Sequence, residues 1–105
     1  MNALEKQIMD TFKSLMIKRL KLHYVVLFGS RARGDADPDS DMDVLVVVDD
    51  LTRELEDYIS ECAWQAGFEH GIVLVPVVFS RNEWEDGPER YSLLAEAIRS
   101  EGIYL

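Results

Sequence analysis

One stretch of the chain limits the fold more than any other. Leu27-Phe28-Gly29-Ser30-Arg31-Ala32-Arg33-Gly34 is followed by a short acidic loop, and then by Ser40-Asp41-Met42-Asp43-Val44-Leu45-Val46-Val47-Val48. A strongly β-branched run such as Met42–Val48 reads as a strand. The apolar segment Tyr24–Phe28 reads as a second strand, buried on both faces. Successive residues of a strand face opposite sides, so Asp41 and Asp43 point the same way at the start of their strand. Two carboxylates side by side repel, and a divalent cation is the usual compensation. The Gly29-Ser30 turn and the two nearby arginines could hold a polyphosphate over such a cation.

The remaining pattern predicts the elements around this pair. Leu4, Ile8, Phe12, Leu15, Met16 and Leu20 recur at three- and four-residue steps, which predicts an amphipathic helix over about 2–20. Residues 29–40, rich in Gly, Asp and Pro, read as a loop. Asp49 or Asp50 is expected to cap a second helix running to about Ala66, with Leu51, Leu55, Ile59, Cys62, Ala63 and Ala66 inward and Gly67 ending it. Gly71–Phe79 reads as a third strand, and Pro76 within it argues for an edge strand or a bulge. Ser80 and Glu83 form a capping box for a short helix holding Trp84. Pro88 opens a last helix to about Ser100, with Leu94, Ala97 and Ile98 inward, and Ile103–Leu105 forms a short strand or a docked tail. The order is αββαβαα: an α/β (α+β) chain with a small mixed sheet and helices packed on it.

At 105 residues the chain is expected to be a single domain, 1–105. No apolar run approaches the roughly 20 residues that span a bilayer, and the acids in MNALEKQIMD do not suit a signal peptide. A lone cysteine, Cys62, makes no internal disulfide and favours the reducing cytoplasm. Charge is lopsided. Residues 1–48 hold seven basic and seven acidic residues, whereas residues 49–105 hold four and thirteen, so the whole net charge of −9 lies in the second half. Such a chain lacks the cations that neutralise phosphate backbones, and direct nucleic-acid binding is not expected. A basic protein partner suits it better.

Other phosphate and metal motifs fail on their residues. Gly29 and Gly34 have P-loop spacing, but Asp35-Ala36 follows where Lys and Ser/Thr are required. Asp37, Asp39, Asp41 and Asp43 alternate like a calcium loop. Counted from Asp37, however, position six is Met42 and not Gly, and position twelve is Val48 and not Glu. His23 and His70 have no partner at metal-ligand spacing. Trp64 and Trp84 read as packing residues, and an exposed Trp84 beside Tyr91 would point to an interface.

Gly-Ser, a basic stretch and Ser-Asp-x-Asp leading into a strand, from Phe28 to Val46, resemble the nucleotidyltransferases of the DNA polymerase β superfamily. The minimal, stand-alone members of that superfamily are the best match. The resemblance implies that Asp41 and Asp43 bind Mg²⁺ and are the catalytic pair. It implies that Gly29, Ser30, Arg31, Arg33 and Ser40 bind the nucleotide, although alternation splits the arginines so that one points away. It implies transfer of a nucleoside monophosphate, AMP above all, from an NTP to an acceptor. Proteins of this kind are often encoded beside a helical HEPN-type partner as toxin–antitoxin pairs, and the partner is then the acceptor. The departure from the pattern is a third carboxylate carried on the third strand by fully equipped members. Here that strand has no acid, and Val75 stands at the position. The alternative is therefore a catalytically weak antitoxin that acts by contact. The proline-bearing edge also admits a homodimer.

Overall fold

The computed structural model describes residues 1–88 and 92–105. A four-stranded mixed sheet carries helices on both faces. Its elements run α1 (Ala3–Met16), β1 (Leu22–Phe28), α2 (Ser30–Arg33), β2 (Met42–Val48), α3 (Arg53–Phe68), β3 (Leu74–Ser80), α4 (Arg81–Asp86), α5 (Leu93–Glu101) and β4 (Ile103–Tyr104). The strand order is β3-β2-β1-β4. β1 is antiparallel to β2 and to β4. β2 and β3 are parallel and are joined through α3.

The central position of β1 and β2 explains their continuous apolar sequences, since both faces of each must be covered. Val25, Leu27, Val44, Val46 and Val48 pack against Ile8, Met9 and Phe12 of α1 and Ile59, Cys62 and Ala63 of α3. Val26, Leu45 and Val47 face the other way, against Trp84 of α4 and Ala95 and Ile98 of α5. β2 matches its sequence expectation to the residue, and β3 is the edge strand that Pro76 predicted.

Several boundaries differ, each for a local reason. α1 is capped by Asn2 and ends at Met16, four residues before the expected end, and Lys18 lies in the turn that follows. Leu4 is exposed and Glu5 is buried in its place. Within the expected loop 29–40, Ser30–Arg33 forms a single helical turn. Thr52, not Asp49 or Asp50, caps α3, its hydroxyl accepting the Leu55 N–H at 3.2 Å. Gly67 does not end that helix. It lies inside α3, where a Cβ would collide with the Ile72 carbonyl oxygen, and Gly71 takes the left-handed φ of +66° instead. α5 is capped by Ser92, and Ala95 and Ile98 are its most buried residues. The expected start at Pro88 and the role of Tyr91 fall against or within the segment outside the described residues. Trp84 is buried against Phe79, so the interface expected of an exposed Trp84 has no basis. Trp64, expected to pack, is 66% exposed. Among the described residues no helix is long and apolar enough to cross a membrane.

Candidate functional site

Asp41 immediately precedes β2 and is exposed, while Asp43 is its second residue and is partly buried. Asp43 shares its face with Leu45 and Val47, hence with the α4–α5 side of the sheet. Phe28 of β1 pairs with it on one side and Val75 of β3 on the other. Because paired residues project to the same face, Val75 sits directly beside Asp43, where the third carboxylate is expected. Among the described residues no group of three or more His, Cys, Asp or Glu side chains is arranged to hold a metal ion.

The Gly29-Ser30 turn follows directly from the end of β1. Gly29 has φ +76° and ψ −157°, which favours glycine, and a Cβ there would stand 2.5 Å from Asp43 Oδ2. The absent side chain therefore lets the backbone close on the carboxylate. Gly34, in the left-handed region at φ +81°, ends the turn with its N–H donating to the Ser30 carbonyl. Burial, and after it the charge of Asp41, hold the Asp43 carboxyl above the ordinary carboxylate range, and the Arg33 charge opposes them. A half-buried carboxylate raised by its acidic neighbour is a donor set that a hard cation would relieve. Two carboxylates fit Mg²⁺ if phosphate oxygens and water complete its shell.

The two arginines do point apart, but the helical turn Ser30–Arg33 separates them and not the alternation of a strand. Arg31 is buried, 6% exposed, and its guanidinium is fully engaged. Nε and Nη2 donate to the Ser40 carbonyl at 2.9 and 2.7 Å, Nη2 to the Pro38 carbonyl at 2.9 Å, and Nη1 to Glu5 Oε2 at 3.1 Å. A phosphate clamp at Arg31 would have to break these bonds. As it stands, Arg31 fixes the backbone at Ser40, one residue before Asp41. Arg33 is exposed, and its bonds to Asp35 Oδ2 and Glu101 Oε1, both 3.2 Å, lie in solvent. Its charge is the one that reaches Asp43. Ser40 donates its N–H to the Asp37 carbonyl at 3.0 Å and closes the loop ahead of Asp41.

Glu5 is the residue that the apolar periodicity of α1 concealed. Its Oε1 accepts the Asn2 N–H at 2.9 Å, and the Asn2 side chain accepts the Glu5 N–H at 2.7 Å. That capping box, visible in the sequence as Asn2-x-x-Glu5, leaves Oε2 free for Arg31. One carboxylate thus ties the start of α1 to the loop that delivers Asp41.

The chain is similar to several known proteins. The sequence profile of the nucleotidyltransferase domain family matches residues 9–104. A candidate protein adenylyltransferase of Methanocaldococcus jannaschii is 37% identical over 62 residues, which are 58% of this chain and 63% of that protein. The chain thus matches less than two thirds of that relative's length. A toxin–antitoxin crystal structure with AMP-PNP superimposes with a TM-score of 0.64 at 20% identity, covering 95% of this chain and 70% of that one. The complex of tri-AMPylated Shewanella oneidensis HEPN toxin with MNT antitoxin gives 0.57 at 18% identity, over 96% and 70%. These two likenesses are of fold. With its profile matched across nearly the whole chain, this protein belongs to the nucleotidyltransferase domain family.

Proposed function

We propose that this chain transfers a nucleoside monophosphate, AMP for choice, from a magnesium-bound NTP to a hydroxyl on a HEPN-type protein partner. The observation that carries the reading is the closure of the Gly29 backbone on Asp43, with Asp41 beside it at the entry to β2. The candidate adenylyltransferase relative and the fold shared with an AMP-PNP-bound toxin–antitoxin complex support it. Asp41 and Asp43 hold the cation, which when bound neutralises charge on the phosphates and in the transition state. Ser30 and the turn amides orient the phosphates. Arg33 exchanges its solvent-exposed carboxylates for phosphate oxygens. Arg31 and Ser40 position the loop. The acceptor oxygen forms a bond to the α-phosphorus, the bond to the pyrophosphate oxygen breaks, and the hydroxyl proton passes to solvent. An NTP substrate and a lone, buried Cys62 suit the cytoplasm.

A second reading rests on Val75. With an apolar side chain paired to Asp43, the fold could hold nucleotide and neutralise its partner by contact. Incubation with MgCl₂ and α-³²P-ATP, with and without the HEPN-type protein, separates the two. Label retained on the partner in a denaturing gel, and abolished by Asp41→Asn, is the expected result. A tight complex with no label from any of the four NTPs would replace transfer by contact neutralisation.

A further inference from the structure

The strongest feature outside the site is an apolar groove at the β3 edge. Trp64 and Phe68 are 66% and 64% exposed, and their rings stack at 4.7 Å. With Val73, Leu74 and Pro76 they wall a groove of about 490 Å³. Large apolar side chains grouped in this way on a soluble domain mark a docking surface. A long amphipathic helix of a partner would meet its own kind of surface here. Along α3, Asp57, Glu61, Trp64 and Phe68 fall at steps of four, three and four, which places them on one exposed stripe. The stripe is acidic at its N-terminal end and aromatic at its C-terminal end. Glu54, Asp57 and Glu61 line the acidic end together with Arg19 and Tyr58.

We infer that this stripe and groove seat an amphipathic basic helix of the protein partner, its apolar face on Trp64 and Phe68 and its Lys/Arg residues over Asp57 and Glu61. Charge decides the occupant. A second copy would bring a chain of net charge −9 and an identical acidic stripe against the first. Strand pairing between copies is also obstructed. The Val73 carbonyl accepts from the Met42 N–H at 2.9 Å, so Val73 and Val75 direct their main-chain groups to β2, and Pro76 faces the free edge without an N–H. The groove is also placed to serve the site. Leu74 and Pro76 line it from one side of β3, while Val75 between them projects beside Asp43. The groove lies on the α3 face of the sheet and Asp43 on the opposite face, so a helix seated in it leaves the paired aspartates uncovered, and the rest of its protein reaches them around the β3 edge.

The inference deepens the proposed transfer to a protein acceptor, and its test runs without nucleotide. The probe is a synthetic 18-residue Leu/Lys amphipathic helix, titrated into the full chain while Trp fluorescence is followed. A Leu/Glu helix of the same pattern is the control. Trp84 is already buried, so a blue shift reports Trp64. The expected result is a saturable blue shift with the Leu/Lys helix alone. Asp57→Lys with Glu61→Lys should weaken binding about tenfold, as should Phe68→Ser, while Asp41→Asn leaves it unchanged. All four positions are exposed, and circular dichroism checks that each variant folds. Equal binding of the Leu/Glu helix, undiminished binding by the variants, or no blue shift would each overturn the inference. So would a concentration-dependent dimer in sedimentation that Phe68→Ser dissolves, since the occupant would then be a second copy. Label transfer to the HEPN-type protein is scored separately. If transfer fails while peptide binding follows the stripe, the transfer reading falls and the docking surface stands. If transfer survives Phe68→Ser and the charge reversal undiminished, the docking surface falls.

Discussion

At the scale of single residues, the site turns on two positions with apolar or absent side chains. Gly29 combines a backbone conformation reserved for glycine with an approach to Asp43 that a methyl group would block. Gly29→Ala should therefore cost about 1–3 kcal/mol in urea unfolding from backbone strain alone. It should also displace Asp43 and abolish label transfer. Val75 is the other position. It is 39% exposed and paired with Asp43, so an acid there would be solvated and correctly sided. Val75→Asp should raise the rate of AMP transfer by about 10²-fold or more if the missing carboxylate limits the reaction. The measurement is the initial rate of label transfer at saturating MgATP. An unchanged rate would mean that transfer in this chain does not depend on a third carboxylate at this register.

At the scale of elements, two polar ties hold the segments that carry the site. Arg31 and Glu5 form a buried pair joining α2 to α1. Arg31→Met leaves the Glu5 carboxylate buried without its cation and should destabilise the fold by about 3–5 kcal/mol. Adding Glu5→Gln, which removes the buried charge and keeps an acceptor for the Asn2 N–H, should recover part of that loss while the loop before Asp41 still loses its anchor, so stability rises and activity does not. The second tie joins the far ends of β1 and β2. Asp49 meets His23, and Lys21 Nζ at 3.5 Å. Burial pushes the Asp49 carboxyl up, but the hydrogen bond and charge of His23 and the charge of Lys21 outweigh it, leaving its pKa below the ordinary value. A depressed carboxyl contributes stability that is present above the unfolded carboxylate pKa and lost as pH falls through the folded one. Melting temperatures measured from pH 6 down to pH 3 should therefore fall more steeply for the native chain than for Asp49→Asn. The sequence made some of this legible and hid the rest. Met42–Val48 was readable because a strand covered on both faces needs no alternation, and Pro76 marked the edge because only an edge tolerates its missing donor. α2 was hidden because one helical turn has no periodicity. Glu5 was hidden because an acid in an apolar stripe reads as an interruption until its buried partner is known. Trp64 passed for packing because a large aromatic is usually covered, although its spacing sets it off the inward stripe of Ile59, Cys62, Ala63 and Ala66.

At the scale of the molecule, charge and shape act together. The acidic excess belongs to the half of the chain that supplies α3 and β3, and the groove lies between these two elements. A partner approaching this side meets a negative field before it meets the apolar groove. Complementary fields of that kind raise encounter rates more than they deepen affinity. The association rate with a HEPN-type partner should then fall about tenfold or more between ~0.05 and ~0.5 M salt, with a smaller change in dissociation rate, because the Debye length shortens to a few ångströms. Stopped-flow mixing that follows Trp64 gives both rates. Reversing Asp57 and Glu61 to lysine should flatten the salt dependence, and Phe68→Ser should leave its slope intact while speeding dissociation. Those two variants act on different rate constants because charge steers the approach and the stacked rings hold the bound state. A salt-independent association rate would mean that the acidic half serves the solubility of the chain and takes no part in capturing its partner.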